Sequence, residues 1–140
     1  MSEQFDSKLE KAQSRWLDKY GQQEVINYTI ACEWRYFNQW KQLKRIEENW
    51  TKRLNNCQAW VTEYYDTETG EIMHELTSYE TVVAHISGST CFDYHKMVYD
   101  FESSYHTDTT TVQQICKFMK QYGGNNCNRI VWKPIPEYPR

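Results

Sequence analysis

The sequence predicts an α+β fold in which helices precede a small, mostly antiparallel β-sheet that carries one C-terminal helix. Apolar residues in the first 55 positions recur at spacings of three and four, which is typical of helices. From residue 57 onwards, short β-branched and aromatic runs alternate with turn clusters, which indicates strands. A length of 140 residues suits one packed unit, and an aromatic content of 16% argues against a disordered chain.

The N-terminal part is predicted to be a helical hairpin. One helical stripe has spacings of four, three and four: Phe5, Leu9, Ala12 and Trp16. The stretch 22–55 keeps a similar spacing through most of its length and contains neither glycine nor proline. We therefore expect a helix over residues 3–20 packed against one long helix over 22–55, with Gly21 at the corner.

Residues 57–140 are predicted to form the sheet and its helix. Strands are expected over five ranges: 57–65, 71–76, 81–86, 91–101 and 129–135. The turn cluster Asp66–Gly70 joins the first two as a β-hairpin. A helix that begins at Asp108 or Thr109 ends at Gly123, and its apolar side is expected to hold four residues: Val112, Ile115, Cys116 and Met119. The organisation is a helical hairpin, 1–56, and a sheet domain, 57–140, packed as a single compact unit.

The cysteines and the hydropathy indicate a cytoplasmic protein without cofactors. The five cysteines are odd in number, and no two stand as C-x-x-C. Cys91 and His95 are four apart, which is a weak match to metal-ligand spacing, so no metal is expected. No apolar run is long enough to span a membrane, and no charged-then-apolar leader opens the sequence. We expect a cytoplasmic protein that has no membrane partner.

Charge is segregated along the chain, and the most acidic stretch is the predicted sheet. Residues 57–112 contain ten acidic residues and one basic residue, Lys96. Such an acidic surface suits a basic partner, for instance a channel that normally holds nucleic acid. Eight of these acidic residues are candidate partner contacts: Glu63, Asp66, Glu68, Glu71, Glu75, Asp100, Glu102 and Asp108.

A second interpretation is direct nucleic-acid binding by the basic end of the predicted long helix. Lysines and arginines there stand close to Trp40 and Trp50, and aromatic rings beside cations suit phosphates and stacked bases. The candidate residues are Lys41, Lys44, Arg45, Lys52 and Arg53. An enzyme is not expected, because no spacing of the four histidines with acidic residues marks a catalytic triad. A homodimer built on the exposed half of the long helix is a further alternative.

One stretch resembles a small domain found in many uncharacterised bacteriophage proteins, whose pattern is Ser-Tyr-x-Thr-x-Val-Ala-x-Ile. Six residues match it: Ser78, Tyr79, Thr81, Val83, Ala84 and Ile86. An aromatic strand follows in that domain, where this chain has Tyr99 and Phe101, and then a Thr-Thr pair that opens a helix, matched by Thr109 and Thr110. The resemblance covers residues 72–122.

The resemblance implies a phage-type accessory protein that binds and inhibits a host nucleic-acid-handling complex. The implied partner is a host protein or ribonucleoprotein, such as a Cas effector, which would make the chain an anti-CRISPR or similar anti-defence inhibitor. We expect such an inhibitor to present its acidic surface to the partner. Direct nucleic-acid binding is retained as the alternative function.

Overall fold

A computed structural model of the chain describes residues 21–55, 57–97 and 109–133. Two helices and six strands lie within these residues. Their bounds in chain order are α1, Gln22–Lys41; β1, Ile46–Arg53; β2, Ala59–Asp66; β3, Ile72–Ser78; β4, Thr81–Ser87; β5, Thr90–Asp93; α2, Thr109–Tyr122; and β6, Asn128–Val131.

All six strands form one sheet, in which strand order follows chain order. The strands β1 to β5 each pair antiparallel with the next strand, whereas β6 pairs parallel to β5. Parallel neighbours need a crossover connection, and α2 lies in the connection between β5 and β6. The sheet is therefore an antiparallel meander extended by one β-α-β unit, and the predicted α+β class is confirmed.

The two helices cover opposite faces of this sheet. The core on the α1 side includes Ile30, Phe37, Trp40, Met73, Phe92 and Tyr94. The core on the α2 side includes Val61, Leu76, Ala84, Ile86, Ile115 and Phe118. Successive strand residues point to opposite faces, so the central strands are buried on both sides. In β4 this burial on both faces matches the apolar run Val82-Val83-Ala84.

The predicted long helix over 22–55 is wrong in its second half, because Ile46–Arg53 form the strand β1. The three-or-four spacing arises there from a register shift between Glu48 and Trp50, a β-bulge that adds one residue to β1. Ile46 packs into the core on the α1 side, and Trp50 packs against the core on the α2 side. Apolar residues four positions apart thus serve two faces of a sheet instead of one face of a helix.

The predicted helical hairpin is not confirmed. Its first helix, 3–20, lies outside the described residues, and its second helix is α1 alone. Gly21, the predicted corner, has a φ of +99°, which favours glycine, and it immediately precedes α1. The predicted boundary after residue 56 falls between β1 and β2, which pair in one sheet.

The elements predicted after residue 57 agree more closely with the structure. The hairpin of β2 and β3, the strand β4, the helix α2 and the strand β6 all occur near their predicted positions. The strand predicted over 91–101 is too long, because β5 ends at Asp93 and a helical turn follows at residues 95–97. The Asp93 carboxylate accepts a hydrogen bond from the His95 backbone N–H at 3.2 Å, which stabilises the change from strand to turn. Residues 98–101 lie outside the described residues.

The buried side of α2 also differs from the prediction. Ile115 is buried as expected, but Cys116 is exposed and Phe118 is fully buried. Two polar residues, Thr111 and Gln114, share this buried side. A prediction from apolar residues alone puts Cys116 on the buried side of the helix. It is wrong because polar residues also occupy the buried side.

Candidate functional site

Two of the predicted acidic contacts, Asp66 and Glu75, are buried and neutralised inside the fold. Asp66 accepts hydrogen bonds from the backbone N–H groups of Glu68 and Thr69 at 2.9 and 3.2 Å. It also accepts one from Arg45 Nε at 3.1 Å. Desolvation opposes ionisation, but these donors outweigh it and lower the pKa of Asp66. Asp66 therefore organises the β2–β3 turn and is not free to contact a partner.

Glu75 lies on β3 beneath α1, where only 4% of its surface is exposed. Its carboxylate forms an ion pair with Lys41 at the end of α1 and accepts a hydrogen bond from the Tyr64 hydroxyl at 3.3 Å. Burial, followed by the charge of Glu75, raises the pKa of Tyr64. Lys41 and Glu75, which were predicted to serve two different contact surfaces, thus neutralise each other in the interior.

Glu63 is half-buried on the α2 side of the sheet and is the centre of a polar cluster. It accepts hydrogen bonds from Asn49 Nδ2 at 2.9 Å and from His74 Nε2 at 3.0 Å. Desolvation opposes its ionisation, yet the hydrogen bonds from Asn49, His74 and Trp50 lower the pKa of Glu63. Its charge is therefore largely satisfied within the fold.

The remaining acidic candidates divide into exposed and undescribed residues. Glu68 and Glu71 are exposed at the β2–β3 turn, and Glu68 lies 3.3 Å from Arg45 Nη1. Asp100, Glu102 and Asp108 lie outside the described residues. Among the five described candidates, only Glu68 and Glu71 present free surface, so these five do not form one acidic face.

The basic candidates do not form one cluster either. Lys41 and Arg45 are held in ion pairs with buried carboxylates, while Lys44 is exposed in the turn after α1. Lys52 and Arg53 are exposed at the opposite end of the sheet, because β1 carries them away from α1. Because β1 replaces the second half of the predicted long helix, these five residues fall into two separate groups.

Arg53 and a lysine of α2 both contact Cys57, in the loop between β1 and β2. Arg53 Nε donates to the Cys57 carbonyl at 2.8 Å, and Lys117 Nζ lies 3.5 Å from Cys57 Sγ. Gln121, on the same helix, donates to Asn55 Oδ1 at 3.1 Å. The loop between β1 and β2 therefore joins the end of β1 to α2, and it brings residues 60 and 66 positions apart into contact.

Aromatic rings adjoin these cations. Lys52 Nζ lies 4.6 Å from the centroid of the Trp50 ring, which is within the range of a cation–π interaction. Trp50 lies 6.0 Å from Tyr122 and 5.8 Å from His74, measured between ring centroids. Trp50 and Tyr122 are half-buried, so each leaves part of its surface accessible. We call this surface the basic end, and define it by Lys52, Arg53, Lys117, Lys120, Trp50 and Tyr122.

The sequence contained a signal for the basic end that went unused. Lys117 and Lys120 are three residues apart on α2 and therefore neighbours on its surface, and both are exposed. The proximity of Lys117 to Arg53, through Cys57, depends on the sheet topology, which sequence spacing does not reveal.

The end of β3 is in direct contact with α2 through buried polar side chains. The Ser78 hydroxyl lies 3.1 Å from the Thr111 hydroxyl and donates to Gln114 Oε1 at 2.6 Å, and all three residues are buried. Tyr79 follows in the β3–β4 turn with a φ of +57°, and half of its surface is exposed. The serine therefore anchors the hairpin to α2, whereas the tyrosine is available on the surface.

His85 lies at the centre of the core beneath α1. Its ring is fully buried and stacks on Phe37 at a centroid distance of 4.2 Å, with Phe92 and Tyr94 close by. Neither ring nitrogen has a hydrogen-bond partner among the described residues. Burial, and secondarily the charge of Lys41, lowers the pKa of His85 to about 3. His85 is therefore a neutral core residue that a substrate does not reach.

Within residues 21–55, 57–97 and 109–133, no three histidine, cysteine or acidic side chains are arranged to hold a metal ion. Neither of the two described helices is long and apolar enough to cross a membrane. Comparison with protein-family models, with curated proteins and with solved structures finds no match to this chain.

Proposed function

We propose that this chain is a binding protein whose basic end holds a polyanion, specifically single-stranded nucleic acid. The observation that carries the proposal is the convergence of Arg53 and Lys117 on Cys57, at 2.8 and 3.5 Å, from two separate elements. A fold that brings distant cations together on its surface creates a local positive potential, even though the net charge of the chain is −3.

The cations of the basic end are available to phosphates. Within the described part of the chain, Lys52, Arg53, Lys117 and Lys120 form no ion pair with a carboxylate. Lys41 and Arg45, by contrast, are already paired inside the fold. These four cations can each replace a counterion on a nucleic-acid backbone, which favours binding at low salt.

The aromatic rings favour a single strand over a duplex. Trp50 and Tyr122 present accessible ring surface beside the cations, and unpaired bases can stack on such rings. Bases in a duplex are already stacked on one another, so their faces are not available. A single strand can use both the cations and the rings.

The proposal is tested by fluorescence anisotropy with a labelled single-stranded oligonucleotide of uniform sequence over a series of salt concentrations. Four phosphate contacts give a slope of log K against log salt of about −3 for a single strand. The Lys117→Glu/Lys120→Glu variant should bind much more weakly, whereas the Lys44→Glu control, at the other end of the sheet, should bind like the wild type. Binding that is absent, or equal in all three proteins, contradicts the proposal.

A second candidate is the phage-type inhibitor, acting through protein contacts at the β2–β3 turn. The observation that favours it is that Glu68 and Glu71 are exposed there, with Glu47 and Glu48 exposed at the adjacent start of β1. This acidic turn is smaller than the acidic face expected from the sequence. Affinity capture of the tagged protein from nuclease-treated bacterial lysate tests it. A stoichiometric partner that is lost in the Glu68→Lys/Glu71→Lys variant supports inhibition, and a partner retained by that variant excludes this surface.

A further inference from the structure

The strand β1 is a long edge of the sheet. It contains eight residues, and its only partner among the described strands is β2. Six of its residues are exposed, whereas β6, at the other edge, has only four residues in total. A long exposed edge offers unpaired backbone N–H and C=O groups to another strand. Proteins usually either protect such an edge from pairing with other strands or use it to bind another strand.

The acidic and basic residues of β1 are at opposite ends of the strand. Glu47 and Glu48 stand at its start, and Lys52 and Arg53 stand at its end. In a parallel pairing of two identical strands, like charges would lie side by side. In an antiparallel pairing, the acidic start of one strand lies beside the basic end of the other, so opposite charges meet.

The bulge determines which residues share a face. Glu47 pairs with Tyr65 and Lys52 pairs with Val61, and these two β2 residues are four apart and point to the same side. Glu47 and Lys52 therefore both face the α2 side, although their numbers differ by five. Without the bulge they would point to opposite sides of the sheet and could not meet across a two-fold axis.

We propose that β1 pairs antiparallel with β1 of a second copy of this chain, about a two-fold axis between Asn49 and Trp50. Glu47 then lies opposite Lys52 of the partner subunit, and Glu48 lies opposite Thr51 of the partner subunit on the other face. The same contacts recur in reverse by symmetry, as in other two-fold interfaces. The bulges of the two strands coincide at the axis, so neither strand falls out of register.

A second copy matches this edge better than an unrelated strand does. Lysines and bulges on an edge strand ordinarily prevent pairing, because an incoming strand meets an uncompensated charge or a mismatched backbone. An identical strand in the antiparallel direction carries both the complementary charges and the matching bulge. The interaction uses one strand ladder, so the dimer is expected to be weak and concentration-dependent.

Sedimentation velocity of the full chain, without nucleic acid, tests the dimer over a concentration series into the high micromolar range. The wild type should shift from monomer to dimer as its concentration rises. Glu47→Lys turns both symmetry-related attractions into repulsions and should weaken the dimer by about tenfold or more. The Glu47→Lys/Lys52→Glu double variant restores opposite charges and should recover dimerisation.

Glu80→Lys is the matched control, because Glu80 is exposed in the β3–β4 turn, away from β1. It makes the same charge change and should dimerise like the wild type. Circular dichroism of each variant establishes that it is folded. A wild type that stays monomeric throughout overturns the proposal, and so does a folded double variant that remains as monomeric as Glu47→Lys. The result does not depend on nucleic-acid binding, which is measured with Lys117 and Lys120 variants.

Discussion

Replacement of His85 by phenylalanine is predicted to remove much of the acid sensitivity of the fold. His85 is fully buried on the α1 side, and its pKa in the folded chain is about 3, against 6.5 for an ordinary histidine. As the pH falls below 6.5, the unfolded chain takes up a proton at this position that the folded chain does not. Folding stability attributable to His85 is therefore complete above pH 6.5 and is lost progressively down to about pH 3.

The size of this effect follows from the two pKa values. At pH 5 the unfolded histidine is almost entirely protonated and the folded one is almost entirely neutral, which corresponds to a loss of about 2 kcal/mol relative to pH 7.5. Phenylalanine retains the stacking on Phe37 and removes two buried nitrogens that have no hydrogen-bond partner among the described residues. The variant should be at least as stable as the wild type at pH 7.5 and clearly more stable at pH 5.

Urea denaturation at pH 7.5 and pH 5 measures the effect as a difference between two unfolding free energies. The wild type should lose about 2 kcal/mol more than His85→Phe on acidification. His74→Asn is the control, since His74 is half-buried beside Glu63 and its replacement leaves His85 in place. If His85→Phe and the wild type lose the same free energy between the two pH values, the burial argument for His85 is refuted.

Three further changes test the packing. Gly123→Ala should destabilise the chain by about 1–3 kcal/mol in thermal or urea denaturation, because the added Cβ would lie 2.3 Å from Cys127 Sγ; unchanged stability would contradict this contact. Ser78→Ala should lower the free energy of unfolding by about 1–2 kcal/mol, because it leaves buried polar groups of α2 without their partner. Ser78→Thr is not an equivalent control, because the contacts around this hydroxyl are close. Lys41→Met should lower the free energy of unfolding by about 3 kcal/mol, because it leaves Glu75 buried without its ion-pair partner. The Lys41→Met/Glu75→Leu double variant should recover most of that loss. A double variant as unstable as the single variant would refute the pairing.

The strands after residue 57 were predictable because local signals and tertiary structure agree there. The Asp66–Gly70 cluster forms the turn that its composition indicates, and the β-branched run of β4 is a strand buried on both faces. The Gly123-Gly124 pair likewise ends α2 as expected. In each case the residues that define the element are contiguous, so the sequence contains the whole signal.

The strand β1 was not predictable in the same way. The bulge between Glu48 and Trp50 changes the period of its apolar residues, so that Ile46 and Trp50 imitate one face of a helix. The absence of glycine and proline around the end of α1 removed the usual stop signal. Only the pairing with β2, which depends on tertiary structure, shows that this segment is extended.

The candidate site depended even more on tertiary contacts. Lys41 and Glu75 are 34 residues apart and were expected to serve different partners, yet they neutralise each other inside the fold. Arg53 and Lys117 come together only because the β1–β2 loop reaches α2. Charge counts along a sequence therefore indicated that charged surfaces exist, but they did not show which charges are exposed.

Binding of single-stranded nucleic acid at the basic end is tested most directly by an NMR titration of the ¹⁵N-labelled chain with a single-stranded oligonucleotide. We expect chemical-shift changes at the Trp50 indole N–H and along Lys117–Tyr122, with little change at the β2–β3 turn, and we expect these changes to disappear at high salt. Spectra that do not change, or that change first at Glu68 and Glu71, would contradict it.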